Sequence, residues 1–395
     1  MIQHILKQIC TQHRRNGWIF GELLLVFVLC WYIADYTFVL VHNRMIPNGY
    51  DITHTWQIVY GKDVNDSTRS DFDRFLDKIK RVPGVQHVFF TSRGDITPFS
   101  GSYSGSMIKR DSTSTDYHVQ IKRIGSNSYF DLFRIHSVTT GQPARLLLSD
   151  FNTIMLTRNL AESLFGEENP IGKTVYLHKE IYRVTDIIEN QKRFDYGQPG
   201  NVIFYSDRKN DLSTPEISIR TGSNFSLEQF KHEITPDIKS YRDIQCMQEF
   251  EWGITKEISI RNGIMIFFLL NIVLGVIGTF WFRNQTRRSE IGLRMAMGSS
   301  HRQIQNQYLL EALLILTLAA IPAIFINIAI LHADLVQTLG KEISNSNYVT
   351  DNKWLRFLIT NGITYILLAI IVALSAWIPA RQASKVHPVE ALRDE

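Results

Sequence analysis

Few residues in this sequence have the types and spacing that catalysis or metal binding requires. No group of His, Cys, Asp and Glu has the close spacing of a metal site. No Ser-His-Asp set and no nucleophile elbow occurs in a strand-turn-helix context. We therefore expect a protein that is not an enzyme and binds no cofactor itself. The scattered histidines that we interpret as surface or locally bonded residues are His4, His13, His42, His54, His87, His118, His136 and His178.

One stretch looks like a phosphate-binding loop. The segment from Gly166 to Thr174, GEENPIGKT, has five residues between its glycines, whereas the Gly-x4-Gly-Lys-Ser/Thr loop has four. That loop also needs a strand before it and a helix after it, so that helix N–H groups face the phosphate. Here a predicted helix comes first and a predicted strand follows. The segment is therefore excluded as a nucleotide site.

Two carboxylates, Glu22 and Asp35, interrupt the first long apolar run. A charged side chain at the bilayer centre costs about 2.5–3.5 kcal/mol on insertion scales, so neither should face lipid. Glu22 lies about one turn from the cytoplasmic edge, and Asp35 lies about 20 Å further along the axis, near the outer interface. The pair predicts either an ion or proton path, or snorkelling and hydrogen bonds between helices.

Four apolar runs are each long enough to span a bilayer. Arg and Lys clusters mark their cytoplasmic ends, which places both termini inside. The first run exceeds the apolar core of a signal peptide and lacks a small-residue cleavage site, so it is predicted to be an uncleaved anchor. The predicted order is a cytoplasmic amphipathic helix (1–17), a first span (18–41), an outer domain (42–260), a second span (261–282), a cytoplasmic segment (283–304), a third span (305–331), a short outer loop (332–356), a fourth span (357–379) and a cytoplasmic tail (380–395).

The segment between the second and third spans has the pattern of a basic amphipathic helix. Its apolar residues form two pairs four apart, Ile291 with Met295 and Leu293 with Met297. Gly298 is suited to a helix C′ position, and Ser300 to Gln303 has the pattern of a capping box. Such a helix could receive force from a cytoplasmic partner, and the alternative is a merely basic stop-transfer loop. The further residues that we include in the candidate coupling site are Glu290, Gly292 and Arg294.

Residues 42–260 contain predicted helices and strands in the mixed order that is typical of an α+β domain. Phe72, Phe75, Leu76 and Ile79 predict one helix. Further helices are predicted at 128–135, 159–165 and 226–241, and strands at 52–60, 85–91, 117–124, 152–157, 174–177, 181–188, 201–206, 216–220 and 243–250. Residues 93–116 are predicted to be a long polar loop.

The amino-acid composition fits a bundle of membrane helices joined to one or two soluble domains. The chain has 395 residues, is 45% hydrophobic and carries a net charge of +4. Arg and Lys beside the spans explain part of the excess charge, so no nucleic-acid partner is predicted. The cysteines are Cys10, Cys30 and Cys246, and only Cys246 falls in the outer domain, so no intrachain disulfide is expected there.

Three motifs resemble those of MacB/FtsX-like ABC transporter permeases. The first is RSEIGLRMAMG at 288–298, followed by QYLLEA at 307–312. The second is IPARQASKVHPVEALR at 378–393. The third is LAESLFG at 160–166 with NPIGK at 169–173. They occur in the order that the family has them, and together they cover most of the chain.

The resemblance implies four membrane helices with a large extracytoplasmic α+β domain, a MacB-like periplasmic core. That domain would have a membrane-proximal part (42–125 and 208–260) and an inserted part (126–207). The resemblance also implies that 287–298 docks on a cytoplasmic ABC ATPase, with Ile291 and Met295 as apolar anchors. The residues implied on the ATPase face of the tail are Pro379, Arg381, Pro388, Val389, Glu390, Leu392 and Arg393.

The implied partners are an ATPase dimer that binds ATP and Mg, a second permease subunit (identical or paralogous) and membrane lipid, with a periplasmic protein as a further candidate. Because this sequence has no ATPase motif, the ATPase is expected to be a separate chain at the bacterial inner membrane. Export or extraction of a substrate is the first expectation. The alternatives are FtsX-like signalling to an outer partner such as a cell-wall hydrolase, or a membrane-anchored sensor with no ATPase.

Overall fold

The computed structural model describes residues 13–286 except Arg93, Ser112, Lys179 and 208–214, and then Ile291, Leu293, 295–333, Leu335 and 353–383. The described chain forms two compact units, one of long helices and one, from His42 to Ile254, of mixed helices and strands. The helices with stated bounds are α1 (His13–Met45), α2 (Arg69–Lys80), α3 (Ser128–Phe133), α4 (Arg158–Phe165), α5 (Leu227–Glu233), α6 (Tyr241–Glu251), α7 (Ile254–Thr286), α8 (His301–His332) and α9 (Lys353–Ala383). The strands are β1 (Thr55–Val59), β2 (Val85–Thr91), β3 (Gly105–Lys109), β4 (Tyr117–Ile124), β5 (Thr153–Thr157), β6 (Thr174–Leu177), β7 (Glu180–Ile188), β8 (Gln191–Lys192), β9 (Pro199–Gly200), β10 (Val202–Ser206), β11 (Glu216–Thr221) and β12 (Ile238–Ser240).

Four helices, α1, α7, α8 and α9, are long and apolar enough to cross a membrane, with spans of 29–32 residues. Their shared core contains buried side chains such as Phe27, Val276, Leu316 and Leu368. The prediction of four spans is therefore confirmed. Residues 1–12 of the predicted amphipathic helix lie outside the described part of the chain.

The ends of the helices differ from the predicted spans. Residues 13–17 are continuous with α1 rather than a separate element. The fourth helix starts at Lys353 and continues through Pro379 to Ala383, beyond the predicted span of 357–379. Proline is tolerated in a membrane helix because neighbouring groups satisfy the backbone carbonyl that it frees.

A four-stranded sheet, in the order β12-β1-β11-β2, forms one part of the α+β unit. Helices α2 and α5 cover it, because Phe72, Leu76 and Ile79 of α2 and Phe230 of α5 share a buried cluster with the strand residue Ile217. The helix predicted from the spacing at 72–79 is therefore confirmed.

A closed six-stranded barrel, in the order β10-β4-β3-β6-β7-β5, forms the other part. Every residue of β5 and β10 is buried. Helix α4 contributes Leu160 and Leu164 to the barrel core. A separate aromatic cluster contains Tyr129 and Phe133 of α3, Phe89 of β2 and Phe204 of β10, so it joins residues of the sheet to residues of the barrel.

The barrel corrects the predicted division of the outer domain. The inserted part was predicted to start at 126, but β3 and β4 already belong to the barrel. Strand β4 pairs in parallel with β10, with Gln120 opposite Val202. A pairing between strands so far apart in sequence leaves no local periodicity, so the sequence did not reveal it. The predicted loop 93–116 likewise contains β3.

The predicted strand at 243–250 is instead helix α6. Its buried residues, Tyr241 and Gln248, are spaced as on one helical face rather than in alternation. Ser240 caps the helix by accepting a hydrogen bond from the backbone N–H of Asp243 at 3.0 Å. The predicted helix 226–241 is shorter than expected and ends at Glu233, before β12.

Candidate functional site

The segment between α7 and α8 ends as a capped helix. Ile291, Leu293, Met295 and Ala296 are helical, and the N–H of Met297 donates to the carbonyl of Leu293 at 2.9 Å. Gly298 has φ +97°, a conformation that glycine adopts without strain at a helix C′ position. Ser300 and Gln303 form the predicted capping box at the start of α8. Both local predictions are confirmed.

The two apolar pairs of this segment face different surroundings. Ile291 is only 5% exposed and belongs to the buried cluster of the helical unit, and Met295 packs against that cluster. Leu293 and Met297 are 50% and 72% exposed. The prediction that Ile291 and Met295 would be free anchors is therefore wrong. Both pairs have the same spacing, so only packing against the long helices distinguishes the two faces.

Several predicted site residues have no described structure: Glu290, Gly292, Arg294, Pro388, Val389, Glu390, Leu392 and Arg393. Of the tail residues, Pro379 is buried and Arg381 is exposed. The guanidinium carbon of Arg381 lies 5.5 Å from the ring centroid of Trp377. The assignment of these residues to an ATPase face stays a prediction.

Asp35 is held by an arginine of the fourth helix. Nε of Arg356 lies 3.1 Å from Oδ1 of Asp35, and the two side chains are 4% and 1% exposed. Asp35 thus forms a buried ion pair rather than snorkelling to the interface. Arg356 was placed in the outer loop 332–356, whereas it lies in the first turn of α9.

Two neutral side-chain hydrogen bonds also join the long helices. Trp31 donates from Nε1 to Oγ1 of Thr360 at 3.0 Å and so joins α1 to α9. Asn327 donates to Asn361 at 2.9 Å and joins α8 to α9. These contacts were not predicted from the sequence, although polar residues inside apolar runs are the signal that could have indicated them.

A second arginine holds the same part of α1 to α7. The guanidinium of Arg261 lies 4.0 Å from the ring centroid of Tyr36, and its Nη2 lies 2.6 Å from Oε1 of Glu257. A cation on a desolvated tyrosine face is worth about 2 kcal/mol. Helix α1 is therefore attached to α7 and α9 by charged groups on two sides.

Glu22, the other carboxylate of α1, lies against a glycine of α7. A Cβ at Gly275 would stand 2.7 Å from Oε2 of Glu22, closer than real contacts allow. Gly275 thus lets the carboxylate pack beside the α7 backbone. The predicted reach toward Arg14 or Arg15 involves side chains outside the described set.

These features define a class of protein: a polytopic membrane protein with a large α+β domain and a helical segment between its second and third spans. Family models match two parts of the chain, an FtsX-like permease C-terminal region at 262–388 and a MacB-like periplasmic core domain at 39–237. The chain belongs to the MacB/FtsX-like family of ABC transporter permeases.

Individual relatives are similar at low identity. The macrolide export ATP-binding/permease protein MacB of Hahella chejuensis is 23% identical over 302 residues, which are 70% of this chain and 43% of the relative. The uncharacterized ABC transporter permease YknZ of Bacillus subtilis is 24% identical over 255 residues, 61% of each chain. The periplasmic region of MacB from Actinobacillus actinomycetemcomitans has a TM-score of 0.31 at 17% identity, covering 51% of this chain and 94% of that one. This chain spans less than half the length of the MacB proteins that it matches.

Proposed function

We propose that this chain is the transmembrane subunit through which ATP hydrolysis by a separate cytoplasmic ABC ATPase changes the conformation of the MacB-like domain. The purpose would be export or extraction of a substrate. Membership of the ABC permease family supports this proposal, as do relatives that are named macrolide export proteins. ATP and Mg would be bound by the partner, not by this chain.

The observation that carries the proposal is that the helical segment before α8 has one buried face and one exposed face. One face, with Ile291 and Met295, packs into the core of the helical unit. The other presents Leu293 and Met297, which are four residues apart and at least half exposed. A groove on a partner would take these two side chains as anchors. Force on them would reach the long helices through the packed face.

The proposed setting is the bacterial inner membrane, with both termini in the cytoplasm and the α+β unit outside. A second permease subunit, identical or paralogous, would complete the complex, and lipid would cover the remaining helix surfaces. Exposed apolar side chains of α7, among them Phe267, Leu270 and Leu274, are suited to either contact.

The test replaces the exposed anchors. Leu293→Asp and Met297→Asp should each weaken ATPase binding by about tenfold or more, because loss of a central apolar anchor costs about 2 kcal/mol. The measurement is the amount of ABC ATPase that co-purifies with the tagged chain, together with its ATP hydrolysis in nanodiscs. Leu335→Asp is the matched control. Leu335 is 64% exposed, which is between the values for Leu293 and Met297, but it follows the other end of α8.

Membrane levels of each variant show whether a loss of ATPase reflects docking or misfolding. Ile291→Asp should lower the membrane level itself, because it puts a charge into the buried cluster. A Leu293→Asp protein at normal levels that keeps a fully active ATPase would contradict the proposal. It would favour a solvated basic loop or a sensor without an ATPase.

A further inference from the structure

The lining of a small cleft in the α+β unit includes several residues with cationic side chains. The cleft lies where the stretch 97–102 meets β4 and the residues around β8, and it is partly open to solvent. Its polar lining includes Thr97, Ser100, Ser102, Lys122, Lys192 and Arg193. Among the described residues that line it, none is acidic.

Lys122, one of the lining residues, has a buried ammonium group. The residue is 4% exposed, and its Nζ donates to Oη of Tyr129 at 3.1 Å and to Oε1 of Gln191 at 3.3 Å. Both acceptors are uncharged. Burial lowers the pKa of Lys122 to about 7, and attraction by Asp95 opposes that shift. Asp95 itself accepts a hydrogen bond from Ser104.

Lys192 is likewise a buried lysine whose hydrogen-bond acceptors are uncharged. It is 2% exposed, and its Nζ donates to the backbone carbonyls of Asn43 and, at 3.1 Å, Asp195. The Asp195 carboxylate lies 3.4 Å from Nε of Arg44 and accepts from Asn48 at 3.3 Å. Burial lowers the pKa of Lys192 to about 8, although the Asp195 charge opposes this.

The remaining lining is held in a fixed shape. The Arg193 guanidinium lies 4.5 Å from the ring centroid of Tyr103 and 4.9 Å from that of Phe194. Phe99, in the stretch 97–102, has φ +58°, a strained conformation for a bulky side chain. Gln248 anchors the same stretch by donating to the carbonyl of Ser100 at 3.3 Å. Strain that the surroundings maintain in this way is common at binding sites.

We propose that this cleft binds a small oxyanion, either a carboxylate or a phosphate group. Three residues with cationic side chains and three with hydroxyl groups line this cleft, no acidic residue lines it, and it is too small for a drug-sized ligand. A buried cation is costly unless it is paired. An oxyanion would add to the attraction that Asp95 exerts on Lys122 and would accept charge-assisted hydrogen bonds from the lining. The site is independent of ATPase coupling.

The test uses the purified full chain in phosphatidylcholine nanodiscs, with inorganic phosphate as the probe. The measurement is hydrogen exchange of the backbone at 94–104, at constant ionic strength maintained with sodium chloride. Phosphate should slow exchange there. Lys122→Met and Arg193→Gln should each weaken this protection by about tenfold or more, since each removes a cationic group that would donate a charge-assisted hydrogen bond to the anion. Arg183→Gln is the matched control, because Arg183 pairs with Asp150 on the barrel surface.

A second arm identifies the source of the anion. Protection in phosphatidylglycerol nanodiscs without phosphate assigns the site to a lipid headgroup, and protection only with phosphate assigns it to a free anion. No protection in either arm, or equal protection in all variants, overturns the proposal. If Lys122→Met does not fold, Arg193→Gln decides alone, because that side chain is only partly buried.

Discussion

Lys122 and Lys192 make the stability of the α+β unit depend on pH. Both residues have pKa values below the ordinary 10.5 of lysine, near 7 and 8. Between these values and 10.5 the unfolded chain binds more protons than the folded chain. The free energy of unfolding therefore rises with pH in that window, by at most about 1.4 kcal/mol per pH unit for each group.

We expect Lys122→Met to remove one of these contributions. The variant should be most stabilised relative to the parent chain near pH 7, and its advantage should shrink as the pH rises toward 10. Thermal unfolding of the purified chain in a buffer without phosphate measures this difference. Lys80→Met changes an exposed lysine and should show no such trend, and a pH-independent effect of Lys122→Met would contradict the assignment.

At the scale of helices, the pair Asp35 and Arg356 joins α1 to α9. Its contribution is expected to exceed that of a neutral hydrogen bond between membrane helices, which averages about 0.6 kcal/mol. Removing one partner leaves a buried charge without its counter-ion, which costs about 3–5 kcal/mol in soluble proteins. The sequence alone did not identify Arg356 as the partner of Asp35.

We expect Asp35→Asn to lower the membrane level or the melting temperature of the chain clearly. Arg356→Gln should have a similar effect, and the double variant should lose less than the sum of the two single variants. The measurement is a double-mutant cycle on the purified chain in detergent. Additive losses would show that the two side chains do not stabilise one another.

Topology is a property of the whole molecule. If the four candidate helices all span the membrane, both termini are expected on one side, and the α+β unit, which lies between α1 and α7 in the chain, on the other. The segment between α7 and α8 is then expected on the same side as the termini. Clusters of Arg beside that segment favour the cytoplasm.

Native Cys246 offers a direct test, because it is exposed and lies in α6. In a chain with Cys10 and Cys30 replaced by serine, we expect an impermeant thiol reagent to label Cys246 in intact cells. With Cys246 also replaced, Ser300→Cys should be labelled only after permeabilisation. Labelling of position 300 from outside would reverse the proposed topology.

The sequence by itself determined the features that depend on neighbouring residues. Long apolar runs predicted the four spans, because an unpaired backbone and charged groups are both costly in lipid. The spacing of Phe72, Leu76 and Ile79 predicted α2, and the pattern of Ser300 and Gln303 predicted the cap of α8. Helix α2 and the cap of α8 are each set by interactions between residues within one or two helical turns of one another.

Only the tertiary structure decided which residues meet across the chain. Trp31 contacts Thr360, 329 positions away, and β4 enters the barrel beside β10. Ile291 faces inward and Leu293 outward although both belong to apolar pairs of the same spacing. Local periodicity shows which residues share a face of a helix. Which face is buried depends on the packing of other elements, because the free energy of burial comes from contacts that no short stretch of sequence contains.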